Sequence, residues 1–136
     1  MKEFILAIWL MLEAVIDWKY KYISIWHLIM GGAIGILFCL LQKRALDEVA
    51  LACIPGVCLL VFAKLTREAI GYGDGMVFLV LGLYLSIEEI LMIGFWASAA
   101  AGIMALTLLV VFRKSGKYRM AFLPFLSGIY LCSLLI

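Results

Sequence analysis

The chain has 136 residues, 68% of them hydrophobic, only 15% charged, and a mean hydropathy of +1.19. A soluble domain carries about 45–50% apolar and about 25% charged residues, so there is too little polar surface here to coat a water-soluble globule. The net charge of +2 is too small to suggest a nucleic-acid partner. The apolar runs are continuous rather than alternating, which excludes a transmembrane β-barrel.

A membrane-crossing helix takes roughly 20 apolar residues. The chain therefore reads as an all-α polytopic membrane protein, a single membrane-embedded domain over 1–136 with about six transmembrane helices. The expected spans are 3–17, 22–41, 46–63, 75–93, 95–112 and 120–136. Lys2 followed by Phe4–Leu12 has the look of a secretory signal. Glu13 interrupts it and no small-x-small site follows, so it is read as a retained first span. Asp17 falls in the last turn of that span, flanked by Trp18 and Tyr20, which favour headgroup depth.

The second span contains Gly31-Gly32-Ala33-Ile34-Gly35, a G-x-x-x-G spacing suited to close helix contact or to a dimer face. In the third, Asp47 and Glu48 read as solvated acids at a helix start, and Pro55-Gly56 as a kink. The fourth and fifth spans are punctuated only by Glu88 and Glu89, which mark either a loop near 86–95 or a re-entrant turn. Ala97–Gly102 is a second run of small residues. Cys39, Cys53, Cys58 and Cys132 all lie in apolar runs with no C-x-x-C pair, so they read as small hydrophobes.

Charge orients the spans. Lys19, Lys21, Lys64, Arg67, Arg113, Lys114, Lys117 and Arg119 fall in loops on one side; Lys2, Lys43 and Arg44 fall on the other. The positive-inside rule makes the first side cytoplasmic and leaves both termini outside. Asp17 and Asp74 then share the cytoplasmic side, and Asp47 does not.

Gly71-Tyr72-Gly73-Asp74-Gly75 sets one carboxylate among three glycines, between two apolar stretches. An ionisable group at the edge of a hydrocarbon layer marks function, and glycines there permit close approach of another chain segment. Two aspartates at one depth on different helices suggest an aspartic dyad, which shares a proton because two adjacent carboxylates cannot both ionise. The ionised member takes a proton from water and the protonated one hydrogen-bonds the scissile carbonyl; no metal or cofactor is required. The bland alternative pairs Asp17 with Lys21 at i,i+4, and Asp74 with Lys64 or Arg67. Glu13, one turn before Asp17 on the same face, tunes that aspartate, binds a basic group, or is a plain hydrogen-bonded buried acid. His27 is the only histidine, which speaks against histidine-based metal sites and for a hydrogen bond to a neighbour or headgroup. There is no G-x-S-x-G and no P-loop sequence.

Gly71-Tyr72-Gly73-Asp74 matches the G-x-G-D motif of membrane aspartyl proteases, and its surroundings resemble the type IV prepilin peptidase family. Asp17-Trp18-Lys19-Tyr20-Lys21-Tyr22-Ile23 closes the first span. Arg67-Glu68-Ala69-Ile70 leads into the motif, and Met120-Ala121-Phe122-Leu123-Pro124-Phe125-Leu126 looks like the family's I-P-F-x-P-F-L segment. The resemblance covers essentially the whole chain, in the short form without a methyltransferase extension. It implies an endopeptidase in a bacterial or archaeal plasma membrane, with its active site facing the cytoplasm. Its partners would be prepilins or pseudopilins with a short basic leader and a hydrophobic helix. Asp17 and Asp74 would be catalytic and Gly71, Gly73 and Gly75 would support them. Glu13, Lys19, Lys21, Lys64 and Arg67 would contact substrate or anionic lipid. The family's I-P-N after the first aspartate is Ile23-Ser24-Ile25 here, and the lysine two residues after the second is Met76. The cysteine pairs of the long form are absent, so neither zinc nor N-methylation is expected. Against the peptidase stand a small proton-coupled transporter and a non-catalytic assembly factor with a peptidase-like fold.

Overall fold

A computed structural model describes residues 2–20, 24–66, 72–113 and 122–135. These residues form six α-helices: α1 (Lys2–Tyr20), α2 (Ile25–Leu41), α3 (Leu46–Leu65), α4 (Tyr72–Tyr84), α5 (Ile87–Val110) and α6 (Leu123–Leu135), with no strand among them. α4 is the central helix, touching α1, α2, α3 and α5, while α6 closes the bundle against α1 and α5.

The tightest seam is α3 against α4, which run antiparallel. A Cβ on Gly56 would lie 2.7 Å from the Leu79 nitrogen, and one on Gly75 would lie 2.8 Å from Leu60 Cγ. Only glycine lets the two backbones approach so closely. The G-x-x-x-G of α2 serves the same purpose inside the molecule. Gly31 is buried under the Trp9 indole and Gly35 under Leu83 and Tyr84. These contacts are with α1 and α4 of the same chain, not with a second copy.

Two sequence-based boundaries are corrected. The fourth and fifth helices part at Leu85-Ser86, not near residue 94, so Glu88 and Glu89 stand in the first turn of α5. Ser86 Oγ accepts from the Glu89 N–H at 3.3 Å, and Glu89 Oε2 accepts from the Ser86 N–H at 2.9 Å. This capping box satisfies two amide donors that a helix start leaves unpaired. The second correction concerns α4, which begins at Tyr72. Tyr72, Gly73 and Asp74, expected just before the fourth span, therefore lie in its first turn. An acidic side chain in a first turn suits the helix dipole.

Cations hold the far end of α4. Arg44 donates to the carbonyls of Leu83 at 2.9 Å, Leu85 at 3.2 Å and Gly82 at 3.4 Å, and Lys2 Nζ donates to Tyr84 O at 3.3 Å. The last carbonyls of a helix lack intrahelical partners and carry negative partial charge, so basic side chains satisfy both needs. Arg44 reaches them because α2 ends in a reversed turn. The Arg44 N–H bonds Cys39 O and the Lys43 N–H bonds Leu40 O, with Lys43 in the left-handed region at φ 51°.

The outside of the bundle is apolar. Phe4, Ile8, Met11, Val15 and Trp18 of α1 are exposed, while Glu13 and Asp17 face inward. This inverts the pattern of a surface helix in water. By length and composition α3 and α5 are each able to cross a membrane; α2, α4 and α6 are apolar but shorter. At 1.5 Å per residue a helix the size of α4 spans about 20 Å, against roughly 30 Å of hydrocarbon.

Candidate active site

The carboxylates sit where helix ends converge. Asp17 lies in the last turns of α1 and is 8% exposed. Its Oδ2 accepts the backbone N–H of Leu123, the first residue of α6, at 3.3 Å. That N–H is one of the unpaired donors of a helix start, where the dipole also favours an anion. Pro124 in the same turn has no N–H and fits this position without loss. The hydrogen bond fixes the carboxylate against α6 through one oxygen.

Asp74 stands half-buried in the first turn of α4. Phe78 is four residues on, and a helical side chain leans over the turn before it, so Phe78 shares the Asp74 face. Its ring packs against Gly94 of α5 and stacks on Phe122 with centroids 6.4 Å apart. Phe122 directly precedes Leu123, whose N–H binds Asp17. The Phe78–Phe122 stack and the Leu123–Asp17 hydrogen bond therefore tie the start of α4 to the end of α1, and both aspartates lie at the same end of the bundle. The opposite end carries Lys2, Arg44 and the α4 carboxyl terminus.

Glu13, one turn below Asp17, has no exposed surface, and neither of its oxygens has a hydrogen-bond partner. It is therefore not the plain hydrogen-bonded acid that was one of the sequence readings, and it is out of reach of a substrate in this arrangement. Its neighbour is His27 of α2, with Nδ1 3.8 Å from Oε1. Lys19 is exposed with its ammonium 5.3 Å from the Tyr20 ring centroid, and Lys64 is exposed at the end of α3. Gly73 is half-buried, and Gly75 is buried against Leu60. Gly71, Lys21 and Arg67 lie outside the described residues, as do the ion pairs expected of them.

Sequence reasoning missed the site role of four groups. The Leu123 amide and the Phe122 ring come from more than 100 residues away, and a backbone N–H leaves no sequence signal. Phe78 had one, its i+4 spacing from Asp74. His27 as the partner of Glu13 was likewise hidden, because nothing in spacing tells which helices touch.

Residues 4–106 match the family model described as the type IV leader peptidase family. The matched range contains Asp17, the G-x-G-D segment and Asp74, and it stops short of the segment that opens α6. No curated protein and no solved structure matches the chain.

Proposed function

This chain belongs to the type IV leader peptidase family and is accordingly a protease of that kind; from that premise we propose that it is a membrane aspartic endopeptidase of prepilin-like leaders, with Asp17 and Asp74 as its catalytic pair. The observation that carries the proposal is the family match over residues 4–106, which encloses both aspartates. The link from the first turns of α4, through Phe78 and Phe122, to the Leu123 amide on Asp17 supports it. So does the inverted amphipathy of α1, in which carboxylates face inward and bulky apolar side chains face outward.

In this mechanism one aspartate is ionised and the other holds a proton. The ionised carboxylate removes a proton from water as the oxygen attacks the scissile carbonyl, and the protonated one donates a hydrogen bond to the carbonyl oxygen. Collapse of the tetrahedral species passes a proton to the leaving amine and returns the pair to its starting state. The amide of Leu123 holds Asp17 against the start of α6 through Oδ2. Substrate specificity follows the family: a short basic leader, cut before a hydrophobic helix at the cytoplasmic face of a multi-pass protein with both termini outside. Lys19 and Lys64 flank that end and suit an anionic lipid surface or an acidic residue of the substrate. The transporter alternative needs polar groups continuing across the bundle, whereas the buried carboxylates Glu13 and Asp17 are one turn apart near one end.

The test is cleavage, in membranes, of a prepilin-type protein with a basic leader by wild type, Asp17→Asn and Asp74→Asn. Each variant is expected to lose at least about a hundredfold in rate. Full activity in either one refutes the pair.

A further inference from the structure

Below Asp17, and turned toward α2 instead of α6, lies a polar pair that the hydrolysis above does not use. Glu13 is 0% exposed, yet both of its carboxyl oxygens and His27 Nδ1 are buried without a hydrogen-bond partner. The Nδ1–Oε1 separation of 3.8 Å is beyond a direct hydrogen bond. The His27 side chain as a whole is 37% exposed. His27 is held in place through its backbone, since the Trp9 indole N–H donates to the His27 carbonyl at 2.9 Å.

Burying a carboxyl with no partner is expensive in any state of charge, and a leucine would fill the same space without that penalty. The two groups face each other as the natural partners for one acid proton, one of them sealed inside and the other reaching the outside. Asp17 is four residues from Glu13 on the same helix, where side chains are neighbours about 5–6 Å apart at Cβ. A change of charge on Glu13 is felt there with little screening.

We propose that Glu13 and His27 hold a single exchangeable proton between them, gained and lost through the exposed edge of His27, and that they act as a positioning pair whose charge state sets the field at Asp17. Neither residue touches the substrate. The role at Asp17 rests on the catalytic reading above; the shared proton does not. Among the described residues, the helices packed on α1 present these titratable groups: His27 and Cys39 on α2, Tyr72, Asp74 and Tyr84 on α4, and Tyr130 and Cys132 on α6. Cys39, Tyr84 and Tyr130 donate to the carbonyls of Leu83, Gly31 and Glu3. Tyr72 and Cys132 are exposed. α1 itself adds Lys2, Glu3, Lys19 and Tyr20 toward its ends, and Asp17 beside the pair.

His27 is the only histidine in the chain, so NMR of ring-labelled histidine in the full chain reads its titration without ambiguity. In Glu13→Gln the midpoint of His27 lies at lower pH than in wild type, because the facing carboxylate no longer stabilises the imidazolium. In Asp17→Asn the loss of the neighbouring negative charge leaves Glu13 easier to ionise, so the midpoint moves the opposite way, to higher pH, and E13Q/D17N titrates as E13Q does, because Asp17 is felt through Glu13. An unchanged midpoint in E13Q overturns the pair, and an unchanged midpoint in D17N overturns its link to Asp17. D17N leaves the pair intact and supplies this readout even if E13Q does not fold.

Cleavage of the prepilin-type substrate gives the second arm. The profile of kcat/KM against pH is displaced to lower pH in E13Q by about half a unit or more. Whatever shift His27→Gln produces is absent when it is added to E13Q. Superimposable profiles, or shifts that add, overturn the positioning role. A wild type that cleaves nothing while His27 still responds to Glu13 and Asp17 refutes the peptidase reading and leaves the pair standing.

Discussion

Gly56→Ala puts the seam that carries Asp74 to a quantitative test. The added methyl would stand 2.7 Å from the Leu79 nitrogen and 3.0 Å from the Gly75 carbonyl oxygen, with Leu79 Cγ at 2.9 Å. The first two are backbone atoms of α4 and have no rotamer with which to yield. α3 and α4 must separate by about 0.5–1 Å to restore van der Waals distance, and overpacking of this kind costs about 1–3 kcal/mol. Alanine recovers about 1 kcal/mol through its better helix propensity, so a net loss of about 0–2 kcal/mol is expected, and G56A falls about 1–3 kcal/mol below a glycine-to-alanine change that meets no clash. The effect on cleavage is larger. Gly75 adjoins Asp74, the first turn of α4 moves with it, and a displacement of about 1 Å in a catalytic group costs about a hundredfold. Denaturant unfolding in detergent and the rate of prepilin cleavage measure the two effects. Gly32→Ala is the control: a methyl there meets nothing within 4 Å, and the variant is expected to be active and no less stable than wild type. G56A matching G32A in both stability and rate would refute the account of the α3–α4 seam.

Five further substitutions test other parts of the scaffold. Arg44→Met removes the donors to the Gly82, Leu83 and Leu85 carbonyls and is expected to destabilise by about 2–4 kcal/mol, read as a lower midpoint of denaturant unfolding. Glu48→Gln is expected to cost under about 0.5 kcal/mol in the same assay, because that partner of Arg44 is 53% exposed. Ser86→Ala breaks the capping box of α5 and is expected to cost about 1 kcal/mol; no loss would mean that packing alone fixes the start of α5. Asp17→Asn keeps an oxygen for the Leu123 amide whereas Asp17→Ala does not. Thermal unfolding is therefore expected to place D17A below D17N by about 1–2 kcal/mol, with both inactive in cleavage.

Much of the architecture was legible because hydrophobic runs and their polar breaks are local. The bounds expected for the third helix, 46–63, agree closely with Leu46–Leu65. The boundary after α4 was misread although its signal was present. Ser86-x-x-Glu89 ahead of an apolar run is a helix start, in which Glu89 belongs to the cap and does not mark a break. The glycines of G-x-G-D suggested a loop, but packing of Gly75 on Leu60 draws Tyr72–Gly75 into the helix. Close contact with α3 overrides the weak helix propensity of glycine there.

At the candidate site the division is sharper. Residue types, their order and the sidedness of basic loops singled out Asp17 and Asp74 by sequence alone, because a carboxylate in an oily chain is costly wherever the fold puts it. The sequence also determined that the apolar segments would be helices, as they are among the described residues, since hydrocarbon-rich segments must pair their backbone groups internally. What the tertiary structure decided is which groups those carboxylates meet. The Leu123 amide comes to Asp17, Phe122 to Phe78 and His27 to Glu13. Each is a contact between helices, set by side-chain packing and by where small residues let backbones close in, and it has no counterpart in the spacing of residues along the chain.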